Sequence, residues 1–153
     1  MIIEVDKKKI FSSDVGQSFD KNKDTIILLH GSGQSHVVWS LTDQYLCDQG
    51  YNVFALDLPG HGNSEGPCLT SIEEITLWLQ KVIEKIGINH LTILGHSQGC
   101  LIALEYANQF SKKLKKLIFV AGSYEIPVNK SLINLAASGD MESLNLMMKW
   151  GYG

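Results

Sequence analysis

The chain has 153 residues, of which 44% are hydrophobic, and a formal net charge of −3 at pH 7. This length fits one globular domain, and the slightly acidic balance excludes the basic surface that nucleic-acid binding requires. No stretch approaches the roughly 18 apolar residues of a membrane span, so we expect no membrane partner. Three cysteines without the spacing of metal ligands, and an amino terminus without an apolar signal segment, predict a cytoplasmic protein with reduced thiols and no metal site.

Segments typical of strands and helices alternate along the chain. Short apolar runs predict strands at residues 2–5, 9–12, 25–29, 51–56, 90–94 and 117–120. Apolar residues at helical spacing predict helices at residues 36–49, 72–86, 98–110, 129–137 and 140–150. This alternation predicts an α/β fold, a doubly wound and mostly parallel sheet with helices on both of its faces.

The first helix and the last two helices have distinctive apolar sides. The apolar side of helix 36–49 is formed by Val37, Val38, Leu41, Tyr45 and Leu46. The two helices beyond Pro127 carry many leucines and methionines, which suit an adaptable apolar surface. These two helices either roof a ligand pocket or pack against the core, and the sequence leaves both possibilities open.

Three glycine-rich segments each follow a predicted strand: residues 30–33, 57–62 and 95–99. In an open parallel sheet the ligand crevice lies at the carboxyl ends of the strands. We therefore expect all three segments to meet at one crevice.

The third segment, Gly95-His96-Ser97-Gln98-Gly99, carries the strongest functional signal. A G-x-S-x-G sequence between a strand and a helix is typical of a nucleophile elbow, whose tight turn exposes the serine hydroxyl above the sheet. Ser97 is the predicted nucleophile, against the alternative of an ordinary strand-helix turn. A serine nucleophile also needs donors for the oxyanion, and the backbone N–H groups of Ser32 and Gln98 are the predicted pair.

Taken in order, His30-Gly31-Ser32-Gly33, the segment 57–64 (DLPGHGNS) and the Ser97 motif resemble the α/β-hydrolase superfamily. The likeness covers nearly the whole chain and is greatest to small esterase-like members with a helical cap. It implies a mostly parallel eight-stranded sheet, a Ser-His-Asp triad and no cofactor. It also implies a core at residues 1–124 and the start of a cap at residues 125–153.

The chain departs from the family pattern because the triad acid and base usually follow strands that come later in the sequence. We therefore expect an amino-terminal portion of a longer hydrolase, with the acid and base beyond residue 153. Such a portion leaves an apolar sheet edge, which the missing carboxyl-terminal half, as a separate chain, or a second copy would cover. Within the chain, Glu125 follows the sixth predicted strand and is a candidate acid, whereas Asp57 is expected to order its own turn.

None of the five histidines is well placed to serve as the base. His61, in the turn over the crevice, is the best placed of them. His96 adjoins Ser97 in a sharp turn, so the two side chains should diverge, and His30 is expected to brace the oxyanion loop. His36, at a helix start, and His90, at the far end of a strand, should not reach Ser97.

These features favour a serine hydrolase that cleaves a small, apolar carboxylic ester by acyl transfer through Ser97. An amide, or a carbon–carbon bond next to a ketone, would use the same apparatus. Two alternatives stay open: a non-catalytic protein of the hydrolase fold that binds a small molecule, and an inactive fragment.

Overall fold

The computed structural model describes residues 1–151. Its strands are β1 (Ile2–Val5), β2 (Lys8–Ser13), β3 (Thr25–Leu29), β4 (Asn52–Leu56), β5 (Leu91–His96) and β6 (Leu114–Val120). Its helices are α1 (Thr42–Asp48), α2 (Ile72–Ile86), α3 (Gln98–Gln109), α4 (Lys130–Ala137) and α5 (Glu142–Gly151), with short 3₁₀ turns at His36–Trp39 and Ser111–Lys113. The last two residues of the predicted cap, 152 and 153, lie outside the described residues.

The strands form one sheet in the order β1-β2-β4-β3-β5-β6. The pairs β1–β2 and β2–β4 are antiparallel, and the remaining pairs are parallel. Leu29 at the end of β3 lies level with Leu56 of β4 and Gly95 of β5. The predicted mostly parallel sheet is therefore confirmed. All three glycine-rich segments lie at the carboxyl ends of its parallel strands.

Helices cover both faces of the central strands because the side chains of β3 alternate between them. Ile27 and Leu29 point into a core shared with α2 and α3. Ile26 and Leu28 point into a smaller core on the opposite face, shared with Trp39 and the α1 side. The predicted doubly wound arrangement is confirmed by these two cores.

The predicted helix at residues 36–49 is wrong in its continuity and in its buried face. The chain forms a 3₁₀ turn and then α1, which bury Trp39, Asp43 and Cys47. Four of the five residues assigned to the apolar side are exposed, namely Val37, Val38, Leu41 and Tyr45. The buried carboxylate of Asp43 is stabilised by the Ser13 hydroxyl, which donates to it at 2.8 Å.

Strand β6 is longer than predicted and lies at the edge of the sheet. It begins at Leu114, three residues before the predicted start, and pairs only with β5 among the described residues. Its apolar residues Ile118, Phe119 and Val120 are each more than 40% exposed. The expected apolar edge is therefore present in the part of the chain that the structure describes.

Candidate active site

Ser97 occupies a strained turn between β5 and α3. Its backbone has φ 52° and ψ −116°, a conformation that residues with a side chain rarely adopt. A Cβ atom at Gly95 would overlap with the carbonyl of Gly99, and one at Gly99 would overlap with the carbonyl of Leu29. The turn is therefore possible only because glycine stands on both sides of the serine, the geometry of a nucleophile elbow.

The end of β6 supports this turn. The Ser97 N–H donates to the carbonyl of Val120 at 3.0 Å, and the Ser97 carbonyl accepts from Cys100 N–H at 2.9 Å. The Cys100 thiol is buried at the base of the turn, where it lies 3.0 Å from the carbonyl of Gly95. Burial raises the pKa of this thiol, so it remains protonated and fills space beneath the elbow.

Ser32 and Gln98, whose N–H groups are the predicted oxyanion donors, contact each other through their side chains. The Ser32 hydroxyl donates to the Gln98 side-chain oxygen at 3.1 Å, which joins the loop after β3 to the start of α3. Among the described residues, neither the Ser32 N–H nor the Gln98 N–H has a hydrogen-bond acceptor. The Gln98 N–H is in the first turn of a helix, where such groups are unpaired and favour negative charge.

None of the histidines in residues 1–151 makes a hydrogen bond to the Ser97 hydroxyl, which has no hydrogen-bond partner there. His96 lies 3.0 Å from the Gln34 side-chain oxygen, as expected from its divergence from Ser97. The His61 ring donates to the carbonyl of its neighbour Pro59 at 3.1 Å. Glu125 is exposed and makes no hydrogen bond in the described part of the chain, so its role as an acid stays a prediction.

His30 joins the loop after β3 to the loop after β4. One ring nitrogen lies 2.8 Å from the carbonyl of Gly31, and the other accepts from Leu58 N–H at 3.1 Å. Burial lowers the pKa of His30, so the ring is neutral and holds both contacts in one tautomer. This arrangement agrees with the bracing role that the sequence predicts.

Sequence reasoning missed a partly buried contact between the His36 ring and the Asp57 carboxylate. Asp57 accepts from Asn63 N–H at 2.8 Å, which orders its own turn as expected. The same carboxylate also accepts from the His36 N–H at 2.7 Å and lies 2.9 Å from the His36 ring nitrogen Nδ1. The two residues are 21 positions apart, and only the parallel register of β3 and β4 brings them together.

A cavity of about 760 Å³ opens above Ser97. One wall consists of the loop at residues 31–34 with His96 and Ser97. The other wall comes from the segment after β6 and from α4 and α5, and it is mostly apolar: Ile126, Pro127, Val128, Leu132, Leu144, Met147, Met148 and Trp150. The helices beyond Pro127 therefore border the space over Ser97. This position favours a role as the roof of a pocket over simple packing against the core.

Neither a metal-binding cluster nor a membrane-spanning helix occurs within residues 1–151. This part of the chain contains no group of three His, Cys, Asp or Glu side chains arranged to hold a metal ion. It also contains no helix with the length and hydropathy to cross a bilayer.

Comparison with known proteins agrees with this architecture. The chain is 37% identical over 98 residues to a pimeloyl-[acyl-carrier protein] methyl ester esterase of Vibrio cholerae, an alignment that covers 64% of this chain and 36% of the relative. It is 30% identical over 105 residues to a 2-hydroxy-6-oxononadienedioate/2-hydroxy-6-oxononatrienedioate hydrolase of Paraburkholderia phymatum, covering 65% of this chain and 36% of the relative. The chain thus spans about a third of the length of these curated relatives.

A solved structure from a study of Nitrososphaera gargenis carboxylesterases superposes with a TM-score of 0.76 at 24% identity, covering 90% of this chain and 51% of that one. At this identity the likeness concerns the fold alone. The family model for the alpha/beta hydrolase fold matches residues 24–147, which include β3 to β6 and all three glycine-rich segments. The chain therefore belongs to the alpha/beta hydrolase fold family.

Proposed function

We propose that this protein is a serine hydrolase that cleaves a small, apolar carboxylic ester through Ser97. The observation that carries the proposal is that Ser97 stands in a nucleophile-elbow turn and lines, with Ser32, a largely apolar cavity, while the N–H groups of Ser32 and Gln98 have no acceptor among the described residues. A serine nucleophile with two free backbone donors nearby in the fold would suit the formation of a tetrahedral oxyanion.

The proposed reaction has two steps. The Ser97 oxygen attacks the ester carbonyl carbon while a base removes the hydroxyl proton, and the Ser32 and Gln98 N–H groups stabilise the oxyanion. The bond to the alcohol oxygen then breaks, and the alcohol leaves with that proton. Water attacks the acyl-serine ester in the second step, releases the carboxylic acid and restores Ser97.

This reaction requires a base and an acid that residues 1–151 do not bring to Ser97. We propose that both lie beyond residue 153, in the same chain or in a separate one, because the curated relatives are about three times longer than the matched region. The Ser97 hydroxyl without a partner supports this view, since a triad histidine would occupy that position.

The lining of the cavity supports the choice of an apolar ester. Leu132, Met147 and Trp150 offer apolar surface, whereas the polar groups are concentrated near Ser97. The names of the two relatives, a methyl ester esterase and an oxononadienedioate hydrolase, support a substrate in which water cleaves a bond to a carbonyl carbon.

The test is covalent labelling of the naturally expressed protein with a fluorophosphonate, read by intact mass. We expect one adduct, located on Ser97, and a total mass above the 17.0 kDa of this chain. Ser97→Ala should remove the adduct and lower ester hydrolysis by about 10³-fold or more, because the nucleophile is lost. Ser111→Ala, in the exposed turn before β6, is the matched control and should label normally.

Two results would contradict the proposal. An unchanged rate of ester hydrolysis in Ser97→Ala would exclude Ser97 as the nucleophile. A protein of 17.0 kDa that takes up no label would favour a non-catalytic protein of the hydrolase fold that binds a small molecule.

A further inference from the structure

Gln34 connects the loop that carries Ser32 to the elbow that carries Ser97. Its side-chain oxygen Oε1 accepts from Gly31 N–H at 3.0 Å and lies 3.0 Å from Nδ1 of His96. Its own N–H donates to the carbonyl of Gly31 at 3.2 Å and closes the tight turn of the loop. One side chain thus contacts both segments that form the candidate active site.

The chemistry of these contacts fixes the state of the His96 ring. A side-chain amide oxygen accepts hydrogen bonds and donates none, so Nδ1 of His96 must carry the proton. Its other ring nitrogen, Nε2, has no hydrogen-bond partner among the described residues. Gln34 therefore favours a ring form of His96 that carries a proton on Nδ1.

The packing around Gly31 shows how little freedom these groups have. A Cβ atom placed on Gly31 would lie 3.0 Å from Oε1 of Gln34, 3.1 Å from Nδ1 of His96 and 3.1 Å from Cβ of Ser97. Such distances are tighter than nearly all observed Cβ contacts, so the loop and the elbow touch here without a gap. A shift of Gln34 would consequently move the loop relative to Ser97.

We propose that Gln34 is a positioning residue, which holds the Ser32 N–H in place opposite Ser97 by accepting hydrogen bonds from Gly31 and His96 at one oxygen atom. This role rests on the proposed function, since it matters only if the Ser32 N–H stabilises an oxyanion. A second link between the two segments runs from the exposed Ser32 hydroxyl to the Gln98 side chain. This link cannot replace Gln34, because it satisfies neither the Gly31 N–H nor the His96 ring.

Three variants separate this role from simple support of the fold. Gln34→Leu keeps the approximate size of the side chain and removes the acceptor, whereas Gln34→Glu keeps an acceptor oxygen. Gln44→Leu makes the same chemical change on the exposed face of α1, where Gln44 contacts only Asp48 through its side chain, and serves as the matched control. Thermal unfolding of each variant identifies any that fail to fold.

The first readout is the rate of Ser97 labelling by the fluorophosphonate, together with kcat and KM for a p-nitrophenyl ester. We expect Gln34→Leu to lower the labelling rate and kcat by about 10- to 100-fold with little change in KM, because a displaced donor weakens stabilisation of the transition state. Gln34→Glu should recover most of the loss, and Gln44→Leu should match the wild type.

The second readout does not depend on activity: the ¹⁵N chemical shifts of the His96 ring. In the wild type, Nδ1 should carry the proton that is donated to Gln34, and Gln34→Leu should lose this preference for Nδ1. Labelling of Gln34→Leu at the wild-type rate, or an unchanged His96 tautomer in that variant, would overturn the proposal. If the wild type itself takes up no label, the proposed function fails, and the positioning role fails with it. The His96 spectrum would still show separately whether Gln34 holds the ring.

Discussion

The centre of the sheet and its β6 edge are rich in the same apolar residues but differ greatly in burial. Every residue of β3 and β4 is buried, whereas five of the seven residues of β6 are exposed. The difference arises from neighbours, since the central strands have a strand on each side and β6 has one among the described residues. The Ser97 turn follows the central strand β5, whereas the apolar wall of the cavity is formed by the segments that follow the edge strand β6.

The largest expected effect is the loss of stability caused by a cavity in the centre of the sheet. Ile93→Ala, in β5, should lower the free energy of unfolding by about 2–5 kcal/mol, because Ile93 is fully buried. Ile118→Ala, the same change in β6, should cost less than about 1 kcal/mol, because that side chain is 41% exposed. Urea unfolding of both variants measures the contrast, and equal losses would mean that β6 is covered in solution.

A smaller effect is expected from glycine substitutions in the two regions. Gly99→Ala should lower the free energy of unfolding by about 3 kcal/mol, because the new methyl group would overlap with a backbone oxygen of β3 that cannot move aside. Gly139→Ala, between α4 and α5, meets no atom within 4 Å and should cost about 1 kcal/mol for its left-handed backbone. Calorimetric melting of the two variants compares them, and a Gly99→Ala protein as stable as Gly139→Ala would contradict the tight approach of α3 to β3.

The smallest effect concerns pH. Burial lowers the pKa of folded His30; the hydrogen bond to the Gly31 carbonyl and the Asp57 carboxylate oppose this shift, and His61 and His36 reinforce it. Below a pH of about 6.5, the ordinary value for histidine, the unfolded chain takes up a proton that the folded protein does not. The free energy of unfolding should therefore decrease as the pH falls below this value, by at most about 1.4 kcal/mol per pH unit.

Unfolding curves between pH 8 and pH 5 test this dependence. His30→Gln should remove this component of the slope, although the variant loses some stability at every pH because the ring contacts are altered. His90→Gln, at an exposed position before β5, is the matched control and should retain the wild-type slope. A slope that is the same in all three proteins would show that His30 does not cause it.

The sheet could be predicted from the sequence, and so could the convergence of the three glycine-rich segments, because both features depend on local signals. Continuous apolar runs predicted β3 and β4 within one residue, and the order of strands and helices implied a parallel sheet. The glycines around Ser97 predicted the sharp turn, because only glycine fits there. These signals lie within a few residues of the feature that they specify.

The remaining features depend on partners that are distant in the sequence. Asp43 can be buried in α1 because the Ser13 hydroxyl donates to its carboxylate, and helical periodicity cannot reveal that partner. The contact of Gln34 with His96 joins residues 62 positions apart and requires the register of β3 with β5. A glutamine after a glycine-rich loop carries no signal of its own that would distinguish it from a solvated side chain.

The position of β5 between β3 and β6 also determines how the protein opens by local fluctuation. Strands β3 and β5 have a paired strand on each side, so their amides are hydrogen-bonded within the sheet and exchange slowly with solvent deuterium. The outward amides of β6 lack that protection within the described residues. Ser97 therefore lies at the border between strands paired on both sides and an edge strand whose outward amides should exchange more readily.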